Sequence, residues 1–106
     1  MTVESGFNEA MLDIYRRAKS EAGYTASAFL KMVVEHGGVE AARMLIHSQR
    51  VSSGYTELWE RGRLDLSMEA MIVETPRFHE LFSPEEIEIC RKRLADYGYQ
   101  PRVRSS

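Results

Sequence analysis

Aromatic and charged side chains alternate with leucines in residues 54–66, the most distinctive stretch of this sequence. Tryptophan, tyrosine and arginine supply a disproportionate share of the energy at protein interfaces, so the stretch is a candidate surface for binding a partner protein. The candidate contact residues are Tyr55, Glu60, Arg61, Arg63 and Asp65. A corner of the core is the competing interpretation, with the two arginines paired to Glu60 and Asp65. For Trp59 itself we favour burial in the core.

Binding of nucleic acid is the alternative function, because helical patterns on both sides of Gly37-Gly38 give residues 26–49 the outline of a helix-turn-helix. The residues that would share one face of its second helix are Arg43, His47 and Arg50. Two details fit poorly. A bulky valine (Val33 or Val34) stands where the first helix usually has a small residue, and Glu40 would repel phosphates near the second helix's N-terminus. We therefore favour a corner of a helical bundle over a DNA-reading unit.

A second basic segment, around Arg91 and Lys92 on the last predicted helix, could extend such a surface together with Arg102 and Arg104. Consecutive positions on a helix splay around its axis, so this run by itself forms no stripe. A solvated helix face is the preferred interpretation. The formal net charge of −2, from 14 basic and 16 acidic residues, gives no overall footprint of nucleic-acid or membrane binding.

The residue types that carry metal and nucleophilic chemistry are present, but they follow no known pattern. The histidines His36, His47 and His79 form no His-Glu-x-x-His motif, and whether they meet in space is left open. No serine occupies a Gly-x-Ser-x-Gly elbow, and no glycine-rich phosphate loop occurs. Cys90 is the single cysteine, so we expect no intrachain disulfide. It lies on the apolar side of a predicted helix, so we expect its thiol to be buried. The sequence predicts a protein that is not an enzyme and binds no metal or cofactor.

Short helices that end at glycine are expected to position these side chains. Apolar residues recur at helical spacing between predicted ends at Gly23, Gly37, Gly62 and Gly98. The predicted N-caps are Asn8, Thr25 and Ser83, the last within a Ser-Pro-Glu-Glu capping box. No alternation of apolar and polar residues persists, so strands are not expected. The predicted fold class is all-α, a compact bundle of five or six short helices in a single domain.

The helical domain is expected to span residues 8–99, with a flexible lead-in at 1–7 and a flexible basic tail at 100–106. A chain of 106 residues, 43% of them hydrophobic, suits one domain with one core. The expected core residues are Phe29, Leu30, Val33, Leu45, Leu58, Trp59, Ile72, Phe82, Ile87 and Leu94. No apolar run approaches the roughly 20 residues that cross a bilayer, and the N-terminus lacks a secretory pattern. We therefore expect a cytoplasmic protein that does not bind a membrane.

Residues 29–33, 37–43, 58–66 and 93–99 together resemble a family of small, all-helical, uncharacterised bacterial proteins. The resemblance covers residues 24–99. It implies a discrete domain of bacterial or phage origin, but it transfers no functional residue. The sequence as a whole favours a non-enzymatic protein-binding or adaptor module, with a nucleic-acid-binding accessory domain as the alternative.

Overall fold

The computed structural model describes residues 2–102, in which six α-helices are joined by short turns. In chain order the helices are α1 (Val3–Ala22), α2 (Ser27–His36), α3 (Gly38–Ile46), α4 (Ser53–Glu60), α5 (Met68–Glu74) and α6 (Pro84–Asp96). Two 3₁₀ segments, Leu64–Leu66 and Pro76–Leu81, directly precede α5 and α6. The α-helices and 3₁₀ segments together occupy 75% of this part of the chain, and it contains no strand, so the predicted all-α bundle is confirmed.

The first helix begins at Val3, within the segment that the sequence predicted to be a loose lead-in. Thr2 is its N-cap: the Thr2 hydroxyl accepts a hydrogen bond from the Ser5 N–H, and the Ser5 hydroxyl accepts one from the Thr2 N–H. Phe7 lies in this segment and is fully buried. The lead-in prediction is therefore wrong for residues 3–7, because reciprocal caps and an anchoring aromatic ring hold them in the helix.

Asn8, predicted as the N-cap of the first helix, is instead a capping residue for a different helix. Its side-chain oxygen accepts a hydrogen bond of 2.9 Å from the Gly38 N–H, at the start of α3. Gly38 lies so close to α1 that an added Cβ atom would meet the Asn8 Cα at 2.9 Å. Gly37 links α2 to α3 with φ at +83°, a conformation that favours glycine. The Gly37-Gly38 pair therefore forms a tight corner between α2 and α3 that packs on α1.

The apolar side chains form two clusters, where the sequence predicted one core. The larger cluster joins α1, α2, α3, α5 and α6 around Phe7, Met11 and Ile72. The smaller one gathers Tyr55 and Leu58 of α4 with apolar residues of the first 3₁₀ segment, α5 and α6. Of the predicted core residues, most belong to one cluster or the other. The two exceptions are Leu30, which is half-buried outside both clusters, and Trp59, which is 46% exposed.

Thr25, predicted as the N-cap of the second helix, lies two residues before its start at Ser27, where Ala26 is the N-cap without a side-chain hydrogen bond. The predicted basic tail is described only as far as Arg102, whose N–H donates a 3.0 Å hydrogen bond to Glu74. The remainder of that tail, including Arg104, lies outside the described residues.

The capping box of α6 is confirmed, and it makes a stability prediction. The Ser83 hydroxyl accepts a hydrogen bond from the Glu86 N–H at 3.1 Å, and the Glu86 carboxylate accepts one from the Ser83 N–H at 2.9 Å. Replacing Ser83 by alanine should lower the free energy of unfolding by about 0.5–2 kcal/mol in urea titrations. As a control, alanine at the exposed Ser20 of α1 should change it by less than about 0.5 kcal/mol. Equal effects of the two substitutions would contradict the role of the cap.

Candidate functional site

Tyr55 of the predicted partner-binding set is buried. Only 2% of the residue is exposed, and its ring packs edge to face against Tyr97 with 5.0 Å between ring centroids. Tyr55 and Leu58 lie on the inner face of α4, which rests on the first 3₁₀ segment. The prediction that Tyr55 contacts a partner is therefore wrong for this conformation, because the side chain belongs to the core.

Trp59 shows the opposite error, since burial was expected and the residue is on the surface. It lies one helical turn beyond Tyr55, and its indole packs edge to face on Tyr97 with a centroid separation of 5.3 Å. Tyr55, Tyr97 and Trp59 therefore form a ladder of aromatic rings that runs from the core to the surface. Glu60, the next residue, is exposed beside the tryptophan.

Arg61 joins the end of α4 to the end of α1. Its guanidinium donates a 2.9 Å hydrogen bond to the Ala22 carbonyl oxygen and lies 5.5 Å from the centre of the Tyr24 ring. The carboxylate paired with Arg61 is that of Glu57, at 3.1 Å, and not the predicted Glu60. The reason is helical geometry, because residues four apart share a face and adjacent residues do not.

Arg63 and Asp65 form the predicted ion pair, with 3.0 Å between Arg63 Nε and Asp65 Oδ1. Arg63 also donates a 2.8 Å hydrogen bond to Glu21 of α1, which Arg17 contacts at 2.9 Å. Hydrogen bonds from the two arginines lower the pKa of Glu21 to about 2, and the bond from Arg63 lowers the pKa of Asp65. Arg63 and Asp65 thus tie the first 3₁₀ segment to α1, so they hold the α4 region in place.

Arg43 and His47 of the alternative nucleic-acid site meet at one carboxylate. His47 Nε2 lies 2.7 Å and Arg43 Nε 3.8 Å from Glu86 Oε2, and Arg43 also donates to the Leu81 carbonyl oxygen. Burial of Glu86 opposes its ionisation, but hydrogen bonds from the Ser83 N–H and from His47 lower its pKa below the ordinary value. Both basic side chains therefore join α3 to the start of α6.

The other residues of the alternative nucleic-acid site do not extend the Arg43–His47 pair along one helix face. These exposed residues are Arg50, Arg91 and Lys92. Helix α3 ends at Ile46, so Arg50 lies in the following loop and the predicted shared face with Arg43 and His47 is wrong. On α6, Lys92 Nζ lies 3.3 Å from Asp96 Oδ2. The predicted basic surface is therefore divided between a loop and a helix.

Arg93, the next residue in the basic run of α6, points into the protein. It donates hydrogen bonds to the carbonyl oxygens of Leu45, Ile46 and Ser48 at 2.9–3.1 Å, and one of 3.2 Å to the Glu69 carboxylate. The Glu69 and Arg93 side chains are only 5% and 12% exposed. Burial raises the pKa of Glu69, against the opposing effect of Arg93. Sequence patterns gave no signal for this pair because the partners of Arg93 come from two other helices, α3 and α5, and from the loop at Ser48.

A mostly apolar cleft of about 210 Å³ opens between α2 and α4. Its floor is formed by Ile14 and Ala18 of α1, and its two walls include Phe29 of α2 and Leu58 of α4. Ile14 and Phe29 belong to the larger apolar cluster, whereas Ala18 and Leu58 belong to the smaller one. The cleft therefore lies at the seam between the two clusters. No pattern in the sequence marks this seam.

Three further features of residues 2–102 bear on function: possible metal ligands, the single thiol and the apolar length of the helices. No group of three or more His, Cys, Asp and Glu side chains in this range is arranged to hold a metal ion. Cys90 is fully buried, and burial raises the pKa of its thiol to about 12, so it is not poised to react. None of the helices described above is long and apolar enough to cross a membrane.

Comparisons of the chain with models of protein families, with curated proteins and with solved structures found no match.

Proposed function

We propose that this protein is a non-enzymatic protein-binding or adaptor module whose contact surface is centred on Trp59. The observation that supports the proposal is the 46% exposure of this indole. Exposed large apolar side chains are few among residues 2–102, the others being Val34 and Met44. Tryptophan is among the residue types enriched at the energetic centres of protein interfaces. We also propose the bacterial or phage origin and cytoplasmic location that the sequence resemblance implies.

The surroundings of Trp59 suggest which partner surface would fit. Tyr97 supports the indole from below, so the ring is held at the surface at little entropic cost on binding. In the described part of the chain, no basic side chain lies within 4.0 Å of the Glu60 carboxylate, whereas Arg61 is already paired with Glu57. The expected partner therefore presents an apolar pocket for the indole and a basic side chain for Glu60.

Replacing Trp59 by alanine tests the proposal. Loss of an interface hot spot costs about 2 kcal/mol or more, which corresponds to roughly 30-fold weaker binding. We expect at least this loss in calorimetric titrations with a partner recovered from bacterial lysate. Alanine at Val34, an exposed apolar residue on α2, serves as the matched control and should leave the affinity unchanged. Because Trp59 is the only tryptophan, its fluorescence should also shift to the blue when the partner covers it.

The nucleic-acid alternative is tested by replacing basic side chains with glutamate at positions whose side chains do not join one helix to another. Arg43 is unsuitable because it also holds Leu81 and Glu86, so the reversals are placed at Arg50 and Arg91. Phosphate binding would show steep salt dependence and would be lost in these variants. A salt-sensitive DNA complex lost on charge reversal, combined with a Trp59→Ala variant that keeps every partner, would replace the proposed function with this alternative.

A further inference from the structure

The cleft between α2 and α4 has the size of a small-molecule site. Helix α2 packs on α1 and α3, while α4 packs on the first 3₁₀ segment, so the two helices face each other across open space. The volume of the cleft, about 210 Å³, exceeds the roughly 150 Å³ at which an engineered apolar cavity binds benzene. One aromatic ring with a short substituent would therefore fit.

The polar groups around the cleft restrict the charge of such a molecule. Glu69 is the charged residue of the lining, and its carboxylate is already paired with Arg93. A carboxylate ligand would bring a second negative charge into this buried surrounding. The Ser67 hydroxyl is also engaged, since it donates to the Leu64 carbonyl oxygen and accepts from the Ala70 N–H. These contacts favour an uncharged ligand.

The Tyr55 hydroxyl is the buried polar side-chain group of the lining that has no hydrogen-bond partner among residues 2–102. The residue lines the cleft, and its buried hydroxyl forms no hydrogen bond with any residue from 2 to 102. Burying a hydroxyl without a partner is unfavourable. Burial also raises the pKa of Tyr55, so the group is protonated and available as a donor at neutral pH.

We propose that the α2–α4 cleft binds a small, uncharged, mostly aromatic molecule whose carbonyl oxygen accepts a hydrogen bond from the Tyr55 hydroxyl. The hydroxyl is closed off from water in this conformation, so the ligand reaches it by displacing part of the lining. Met32 and Met68 both line the cleft, and methionine side chains rearrange readily. This site involves none of the surface around Trp59 that the proposed function uses.

Three probes of nearly equal shape test the proposal: acetophenone, ethylbenzene and benzoate. Titrations followed by amide chemical shifts should show saturable binding of acetophenone, with changes at Gly54 in the cleft wall. Ethylbenzene, which lacks the acceptor, should bind about 2–13-fold more weakly, the range expected for one hydrogen bond. Benzoate should bind more weakly than either neutral probe.

Two variants complete the test. Tyr55→Phe removes only the unpaired hydroxyl, so it should remain folded and should abolish the difference between acetophenone and ethylbenzene. Ala28→Leu enlarges an exposed residue of the cleft lining and should weaken both neutral probes. The proposal is overturned if no neutral probe binds saturably, if benzoate binds best, or if Tyr55→Phe leaves the preference for acetophenone intact. It is equally overturned if Ala28→Leu binds both probes as the natural protein does.

Discussion

Replacing Arg93 by methionine is expected to lower the free energy of unfolding by about 3–5 kcal/mol, the range found when one member of a buried ion pair is removed. Methionine keeps most of the apolar volume of the side chain, so the loss is mainly electrostatic. The change leaves Glu69 buried without a positive partner and deprives three carbonyl oxygens near the end of α3 of their donor. Urea or thermal unfolding followed by circular dichroism would measure the effect.

The adjacent residue offers a matched control. Lys92→Met makes a similar change on the exposed side of α6 and should alter the free energy of unfolding by less than about 0.5 kcal/mol. Adding Glu69→Gln to Arg93→Met should recover part of the loss, because the uncompensated charge is then gone. Similar effects of Arg93→Met and Lys92→Met would show that the buried pair does not stabilise the fold.

The pH dependence of the Arg93→Met variant follows from the direction of the Glu69 pKa. Burial raises that pKa, and the substitution removes the opposing effect of Arg93. The Glu69 carboxyl of the variant therefore holds a proton more tightly in the folded state than in the unfolded state. Stability from such a carboxyl is fully present below the ordinary pKa of 4.5 and is lost as the pH rises through the folded value. The difference in free energy of unfolding between the natural protein and the variant should therefore become smaller as the pH falls from 7 towards 4.5.

Features that depend on neighbouring residues were predictable from the sequence. The Ser83 capping box and the pairing of Arg63 with Asp65 both join residues close in the chain, and both are present. Gly37-Gly38 was correctly interpreted as a corner of the bundle, because glycine marks places where the backbone needs unusual angles or close contact. The fold class follows from the same local signals.

Contacts between distant residues were not predictable in the same way. Asn8 has the side chain of an N-cap, but the amide that it satisfies lies 30 residues further along the chain. Arg93 lies in a run of basic residues typical of a solvated face, yet its partners at the end of α3 are more than 40 residues away. Nothing in either local pattern distinguishes these positions from ordinary caps and surface charges.

The candidate site shows the same limit within a single helix. Tyr55 and Trp59 are both compatible with one apolar side of α4, since residues four apart share a face. Which of them is buried depends on where α6 places Tyr97, and that ring lies between the two. The sequence therefore assigned burial to the wrong aromatic residue of this helix.

Replacing Phe7 by alanine is expected to lower the free energy of unfolding by about 3–5 kcal/mol, since a fully buried aromatic ring is removed from the larger apolar cluster. The ring packs edge to face on Phe78 and Phe82, with centroid separations of 5.2 and 5.3 Å. Phe7 thus joins the start of α1 to the segment that leads into α6. Thermal unfolding measures the loss, and alanine at the exposed Glu4 is the control in the same helical turns. If both variants unfolded like the natural protein, the first residues of the chain would be the loose lead-in that the sequence suggested, and the larger cluster would not depend on them.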